Sequence, residues 1–264
     1  MLLANLSYKI VNVDENNVDV AGVFCQKSRK NGEGYRSKVA WVGERFKEGL
    51  RLKLLLVDEG SKRGFRSRGL IEYIPGEFTW RGVSARGYMV IHCIWVVGRN
   101  KSKGYGGKLL RHCLNDAKGI NGVAVVTSKK GHWLPKPKLF VKYGFAKVDE
   151  LPPDFELYAK QFEDSAPLPQ FSPLSKAKNA KGITILYSHQ CPYLPAAIRV
   201  LKKAAEQANL PVETRLLTDC KSAQNNGFHP YGTYCVLFNG EVLTYRSCSG
   251  KELIESLRNK GVKI

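Results

Sequence analysis

Acidic residues are scarce in this chain, 23 against 42 lysines and arginines, and methionine is scarcer still at two. Long apolar runs are missing as well. The longest, "YMVIHCIWVV", has about ten residues, roughly half of what a helix needs to cross a bilayer, so no membrane span is expected. None of the seven cysteines stands in a Cys-x-x-Cys pair, a spacing that would point to a dithiol redox motif or a structural zinc site; no metal is expected. An odd cysteine count also argues against a closed disulfide framework. The start, "MLLANLSYKIVNVDENN", has no basic flank ahead of its apolar residues and does not read as a signal peptide. A cytoplasmic location with reduced thiols is the expectation.

What is present is a core and an excess of positive charge. At 43% apolar residues the 264-residue chain has enough to bury, which argues against disorder, and its length favours two domains. The net charge of +19 is uneven. Residues 182–264 hold 10 basic and 6 acidic residues, a net of +4, which leaves 32 minus 17, or +15, for residues 1–181. Such a surface attracts nucleic acid, acidic substrates or a phosphate-rich cofactor alike. The stretch "EDSAPLPQFSPLSKAKNAK", 163–181, is rich in proline and poor in apolar residues and reads as a linker. It divides the chain into 1–162 and 182–264, with no internal repeat.

Ahead of the linker, strand and helix signals alternate. "YKIVNV", "RLKLLLVD", "GLIEYIP", "YMVIHCIWVV", "GVAVVTS" and "DFELYAKQF" read as strands, the fourth apolar on both faces and so central in a sheet. "NVDVAGVFC", "YRSKVAWVGERFKEGL", "GKLLRHCLNDAKG" and "KPKLFVKYGF" read as helices. After the linker come the strand "ITILYS", a helix from Cys191, the strand "VETRLLT", a hairpin turning at Asn239-Gly240, and a last helix, "GKELIESLRNKG". The order is β-α-β then β-β-α. The class is α/β in both parts.

"GRNKSKGYGGKLLRHC", 98–113, sets four glycines among basic residues between a strand and a helix. Backbone N–H groups of such a turn converge with the helix dipole on an anion, typically a phosphate. The dinucleotide pattern GxGxxG fails, because Gly104, Gly106 and Gly107 run into Lys108 and Leu109, and GxxxxGK[ST] fails because Leu109 follows Lys108.

"KSKGYGGKLL" instead resembles the acyl-CoA loop of the GNAT-type N-acetyltransferases, Gln/Arg-x-x-Gly-x-Gly/Ala, with Lys101 in the first position and Gly104 and Gly106 in the next two. Downstream, "LFVKYGF" resembles that family's second motif, LYxKxGF. The resemblance covers about residues 7 to 160. It implies a mixed central sheet flanked by helices, and acetyl-CoA as the acyl donor. The pyrophosphate would lie on the loop from Arg99 through Asn100, Lys101, Ser102, Lys103, Gly104, Tyr105, Gly106 and Gly107 to Lys108. Ile94, Trp95, Val96 and Val97 would line the pantetheine arm, with Phe140 and Lys142 contributed by the second motif. The acceptor would be an amine of a small molecule, less readily of a peptide. A CoA-binding sensor or scaffold without catalysis, and a basic nucleic-acid binder, are the rival readings; no RNA-binding signature supports the latter. A homodimer is left open.

Transfer from a thioester to an amine needs a base, a polarised carbonyl and an exit for the thiolate. The family's tyrosine acid is replaced here by Phe140, and Tyr143 stands three residues on. His92, Glu72 and Glu77 are the candidate bases, the histidine because imidazole titrates near neutrality. In the C-terminal part, Cys191 stands at a strand-to-helix junction, where a helix dipole favours a thiolate, and is a candidate reactive thiol. Its Cys-Pro and the element order resemble the thioredoxin superfamily. Leu194 occupies the place of a second cysteine, and Gly232 that of the superfamily's cis-proline. "PYGT" and "NGE" resemble the YoaP-like C-terminal region of bacterial acetyltransferases.

Overall fold

Most of the strand-forming runs pair into two mixed sheets, one of seven strands and one of four, while the short β4 and β9 pair with each other. The computed structural model describes residues 7–60, 63–130, 133–174, 181–225 and 228–262; residues 1–6 of the leader reading and 175–180 of the linker lie outside them. In chain order the elements are β1 (Tyr8–Val13), α1 (Val18–Ala21), α2 (Glu33–Phe46), β2 (Arg51–Asp58), β3 (Phe65–Pro75), β4 (Val83–Ser84), β5 (Tyr88–Val96), α3 (Tyr105–Asp116), β6 (Gly122–Ser128), α4 (Lys138–Lys142), β7 (Ala146–Leu151), β8 (Phe155–Gln161) and β9 (Gln170–Phe171). Then follow β10 (Ile183–Tyr187), α5 (Leu194–Gln207), β11 (Val212–Leu216), α6 (Cys220–Gln224), β12 (Tyr234–Phe238), β13 (Glu241–Thr244) and α7 (Gly250–Arg258).

The chain forms two compact units that are not contiguous in sequence. One gathers Met1–Lys27, Val42–Thr79 and Ser84–Gln170; the other gathers Ser28–Trp41, Trp80–Val83 and Phe171–Ile264. The linker at 163–181 thus marks one crossing among several, and two short N-terminal segments belong to the second unit.

The first unit is built on a seven-stranded sheet of order β1-β2-β3-β5-β6-β8-β7. Neighbours are antiparallel except β5 and β6, which run parallel. Parallel neighbours need a crossover, and α3 supplies it. Leu109, Leu110, Cys113 and Ala117 recur at helical spacing and pack with Leu55, Ile71, Tyr73, Ile91, Val123 and Val125 of the sheet. At the far end of α3, Asp116 accepts a hydrogen bond from the Tyr73 hydroxyl at 2.7 Å and pairs with Lys53 at 2.8 Å. Burial pushes the Tyr73 phenol well above its ordinary range, so it stays a donor.

Besides the short β4, β9 and α6, which the sequence reading lacks, three elements depart from it for local reasons. "NVDVAGVFC" yields only the one-turn α1, ended at Gly22 with φ +69°. "GLIEYIP" extends back to Phe65, because Phe65–Ser67 pair with Leu56–Asp58 across the basic turn. β7 adds an edge strand that the reading lacks; "AKVDEL" is largely exposed and has no alternating apolar face to announce it.

In the second unit β11-β10-β12-β13 form a four-stranded sheet. β10 is parallel to β11 and antiparallel to β12, and β12 is antiparallel to β13. The hairpin turns at Asn239-Gly240, with φ +48° and +81°, as a two-residue turn matching the strand twist requires. Leu194, Leu201, Ala205, Leu253 and Leu257 of α5 and α7 are fully buried.

Candidate acyl-donor and proton-transfer site

The loop after β5 is folded around residues with left-handed backbone. Gly98, Ser102 and Gly104 have φ of +59°, +61° and +76°, and Gly104 immediately precedes α3. The first helical bond ahead of the core runs from the Lys108 N–H to the Gly104 carbonyl at 3.2 Å. The N–H groups of Tyr105, Gly106 and Gly107 therefore point out of the helix start with no carbonyl a turn behind them. Successive N–H groups in such a curl form an anion-binding concavity. Lys101, Ser102, Lys103 and Gly104 are exposed along it.

Two neighbours fix this loop. Glu59 takes both Nε and Nη2 of Arg68 at 2.7 Å and also pairs with Arg99 at 3.3 Å. The Arg68 guanidinium holds the Glu59 carboxyl down at about 2. Lys108 lies 3.7 Å above the Tyr8 ring, a cation–π contact, and Tyr8 meets Tyr105 edge-on at 5.6 Å. Asn100 is buried.

Beside the loop the sheet forks. The β5–β6 ladder runs only from Tyr88↔Gly122 to Ile91↔Val125. Past it β5 keeps its partner β3 as far as Val96, and β6 keeps β8 as far as Ser128. From residue 92 onward β5 therefore offers main-chain groups toward the cleft of the fork. At that point Tyr73 pairs with Ile91 and Glu72 with Cys93, so His92 is the extra residue of a β-bulge. Ile91, Ile94 and Val96 face α3; the two residues between Ile91 and Ile94, His92 and Cys93, share the opposite face, as a bulge requires. Glu72, between the α3-facing Ile71 and Tyr73, lies on that face too.

There His92 Nδ1 stands 3.5 Å from Glu72 Oε1, and Nε2 stands 3.1 Å from the Thr79 hydroxyl. With Nδ1–H directed at the carboxylate, Nε2 accepts from Thr79. His92 is 3% exposed, Glu72 1% and Thr79 0%. A carboxylate on one ring nitrogen fixes the tautomer and stabilises the imidazolium. The sequence reading names Glu72 and His92 separately; the bulge brings them together. Thr79 is missing from that reading, since only the 3₁₀ turn at Gly76–Phe78 returns it to the strand.

The remaining residues fall in different places. Glu77 is exposed and accepts from the Gly87 N–H at 3.0 Å. Phe140 is fully buried, edge-on to Phe145 at 5.4 Å. Lys142 is exposed on α4. Trp95, 40% exposed, meets Phe24 edge-on at 5.8 Å. The Val97 N–H donates to the Arg68 carbonyl at 3.0 Å. Tyr143 receives a hydrogen bond from Arg111 at 3.1 Å, and a Cβ at Gly107 would come within 1.9 Å of its hydroxyl; the phenol thus covers the first turn of α3. Cys191 lies in the turn between β10 and α5, its carbonyl accepting from the Leu194 N–H at 3.2 Å. Among the described residues no cluster of three or more His, Cys, Asp or Glu could hold a metal ion, and no helix is long and apolar enough to cross a membrane.

No family model matches the chain. It is 30% identical over 245 residues to the uncharacterized N-acetyltransferase YoaP of Bacillus subtilis (strain 168), a match spanning 90% of this chain and 94% of that one. Among solved structures it is similar to a GNAT-family acetyltransferase from Staphylococcus aureus Mu50, at 14% identity and a TM-score of 0.42, covering 60% of this chain and 100% of that one. The GNAT-family N-acetyltransferase YhbS of Escherichia coli, in complex with CoA, gives 14% identity and a TM-score of 0.38 over 63% of this chain and 90% of its own. The YoaP relationship runs through nearly the whole of both sequences, and on it the chain belongs to the GNAT family of N-acetyltransferases.

Proposed function

We propose that the first unit transfers the acetyl group of acetyl-CoA to an amine of a small molecule. The observation that carries this reading is the fork: a central strand that leaves its parallel neighbour at Ile91 and leads into a left-handed, lysine-bearing loop at the start of α3. The pyrophosphate lies on the N–H groups from Ser102 to Gly107, with Lys101 and Lys103 supplying charge. The pantetheine arm follows β5 along the cleft of the fork, by Ile94 to Val97. Acetyl-CoA supplies the activated thioester.

The proton of the acceptor amine passes to the Thr79 hydroxyl as that hydroxyl gives its own proton to His92 Nε2, with Glu72 stabilising the imidazolium. Main-chain N–H groups of β5 past the bulge polarise the carbonyl. Phe140 provides no acid, and a thiolate of ordinary pKa about 8.5 leaves as an anion without one; Tyr143 serves as a wall of the cradle. The basic surface around the site favours acceptors that carry a carboxylate or phosphate.

The second unit we read as thioredoxin-like without dithiol chemistry. In its favour are the strand order β11-β10-β12-β13 with one parallel and two antiparallel pairings. Leu194 in place of a second cysteine argues against redox turnover.

The test is acceptor-dependent release of CoA thiol across a panel of amines matched for size and differing in charge. Turnover with a preference for anionic amines supports the reading, and His92→Gln lowers kcat by about 10²-fold or more. Tight acetyl-CoA binding with no release on any amine would favour a sensor instead. Equal competition by neutral and anionic amines would remove the acceptor preference.

A further inference from the structure

Arg68 reaches the loop after β5 by two routes, both within the first unit. It is the extra residue of a bulge in β3, where Leu55 pairs with Gly69 and Leu56 with Ser67; bulges re-aim a side chain where regular pairing is interrupted. The Arg68 carbonyl accepts the Val97 N–H at 3.0 Å, one step past the last β3–β5 pair, Gly69↔Val96. Its guanidinium grips both oxygens of Glu59, whose side chain is 2% exposed. Oε1 of the same carboxylate pairs with Arg99 Nη2 at 3.3 Å. Only Gly98 stands between Val97 and Arg99, in left-handed backbone at φ +59°. The turn closes where the Lys101 N–H donates to the Gly98 carbonyl at 3.1 Å. The entry to the loop is thus tied by its main chain at Val97 and by a side chain at Arg99.

An arginine in a basic loop invites a phosphate, yet the charge of Arg99 is directed at a carboxylate. We propose that Arg68 and Glu59 are positioning residues of the acetyl-CoA loop, holding its entry at Val97 and Arg99, and that Arg99 belongs to this brace rather than to the phosphate ligands. This rests on the reading of the loop as the pyrophosphate cradle. It leaves the phosphate charge to Lys101 and Lys103, which are exposed farther along. A concavity of main-chain N–H groups binds an anion through their common direction. Ordering the backbone beforehand removes a cost that binding would otherwise carry, so the brace raises affinity without touching the cofactor. The task suits an arginine at 68, since a lysine brings a point charge where the guanidinium brings two parallel donors.

The experiment is a calorimetric titration of the full chain with acetyl-CoA, on the wild type, Glu59→Gln, Arg99→Ala and the double variant. Glu59→Gln should weaken binding by about 3- to 10-fold, the scale of ordering one or two loop side chains on binding. Arg99→Ala should weaken it to a similar degree, and the double variant no further than either alone, because both changes remove the same tie. A phosphate ligand would behave otherwise: freeing Arg99 from Glu59 would tighten binding, and losing Arg99 would cost as much in the Glu59→Gln background as in the wild type. Tighter or unchanged binding by Glu59→Gln, or additive losses in the double variant, overturns the proposal. Arg68→Ala should match Glu59→Gln, with Arg68→Lys recovering part of the loss. A second readout needs no cofactor. The Gly104 and Gly106 amide resonances should move in Arg99→Ala, whose side chain is 65% exposed in the wild type and can be truncated without opening the core, should the other variants fail to fold. Resonances that stay at their wild-type positions overturn the brace. Should the wild type not bind acetyl-CoA, the cofactor reading falls, while these resonances still decide whether Glu59 and Arg99 hold the loop.

Discussion

At the scale of single residues, Gly106 and Gly107 look alike in sequence and differ in what surrounds them. A Cβ on Gly107 would enter the space of the Tyr143 hydroxyl at 1.9 Å, whereas one on Gly106 would meet only Leu139 Cδ2 at an ordinary 3.4 Å. Gly107→Ala should therefore displace Tyr143 from Arg111 and destabilise the fold by about 1–3 kcal/mol. Gly106→Ala should keep or gain stability, by up to about 1 kcal/mol from helix propensity, and leave acetyl-CoA binding nearly unchanged, since the loop motif admits alanine at this position. Denaturant midpoints and calorimetric affinities for the two variants check this split. The loop motif includes Gly106 and not Gly107; the packing of Tyr143 is what requires a glycine at 107. His92 and Glu72 are likewise visible as candidates by residue type, but a bulge that turns them onto one face has no signature in a strand that is apolar throughout.

At the scale of elements, Glu59, Arg68 and Arg99 tie the end of β2, the start of β3 and the loop after β5 together. Because the Glu59 carboxyl is held near 2 in the folded protein against an ordinary 4.5, its stabilising effect is fully present above pH 4.5 and fades as pH falls toward 2. The stability difference between wild type and Glu59→Gln should stay constant from pH 8 to about 5 and shrink below that, as read by urea unfolding at each pH. A difference that grew on acidification would contradict the assignment. Strands whose faces are both buried, β5 and β6 above all, are legible as apolar runs. β7 is not, being a mostly polar edge, and neither is the fork, which depends on where pairing stops rather than on which residues pair.

At the scale of the molecule, the sequence suggests two blocks divided at a proline-rich linker, while the folded chain interleaves them. Ser28–Trp41 and Trp80–Val83 belong with the C-terminal residues, an arrangement held by contacts such as Arg81 to Thr233, 152 positions apart. Separations of that length leave no local pattern to read. The charge is legible, and so is its consequence: an excess of +15 over residues 1–181 draws anions to the part that carries the loop. The measurement that tests the central claim most directly is a calorimetric titration with acetyl-CoA, on the wild type and on Gly106→Val. Micromolar binding by the wild type that is lost in a folded Gly106→Val protein is the expected result. No binding by the folded wild type, or equal binding by both, would mean that the loop at the start of α3 does not hold this cofactor.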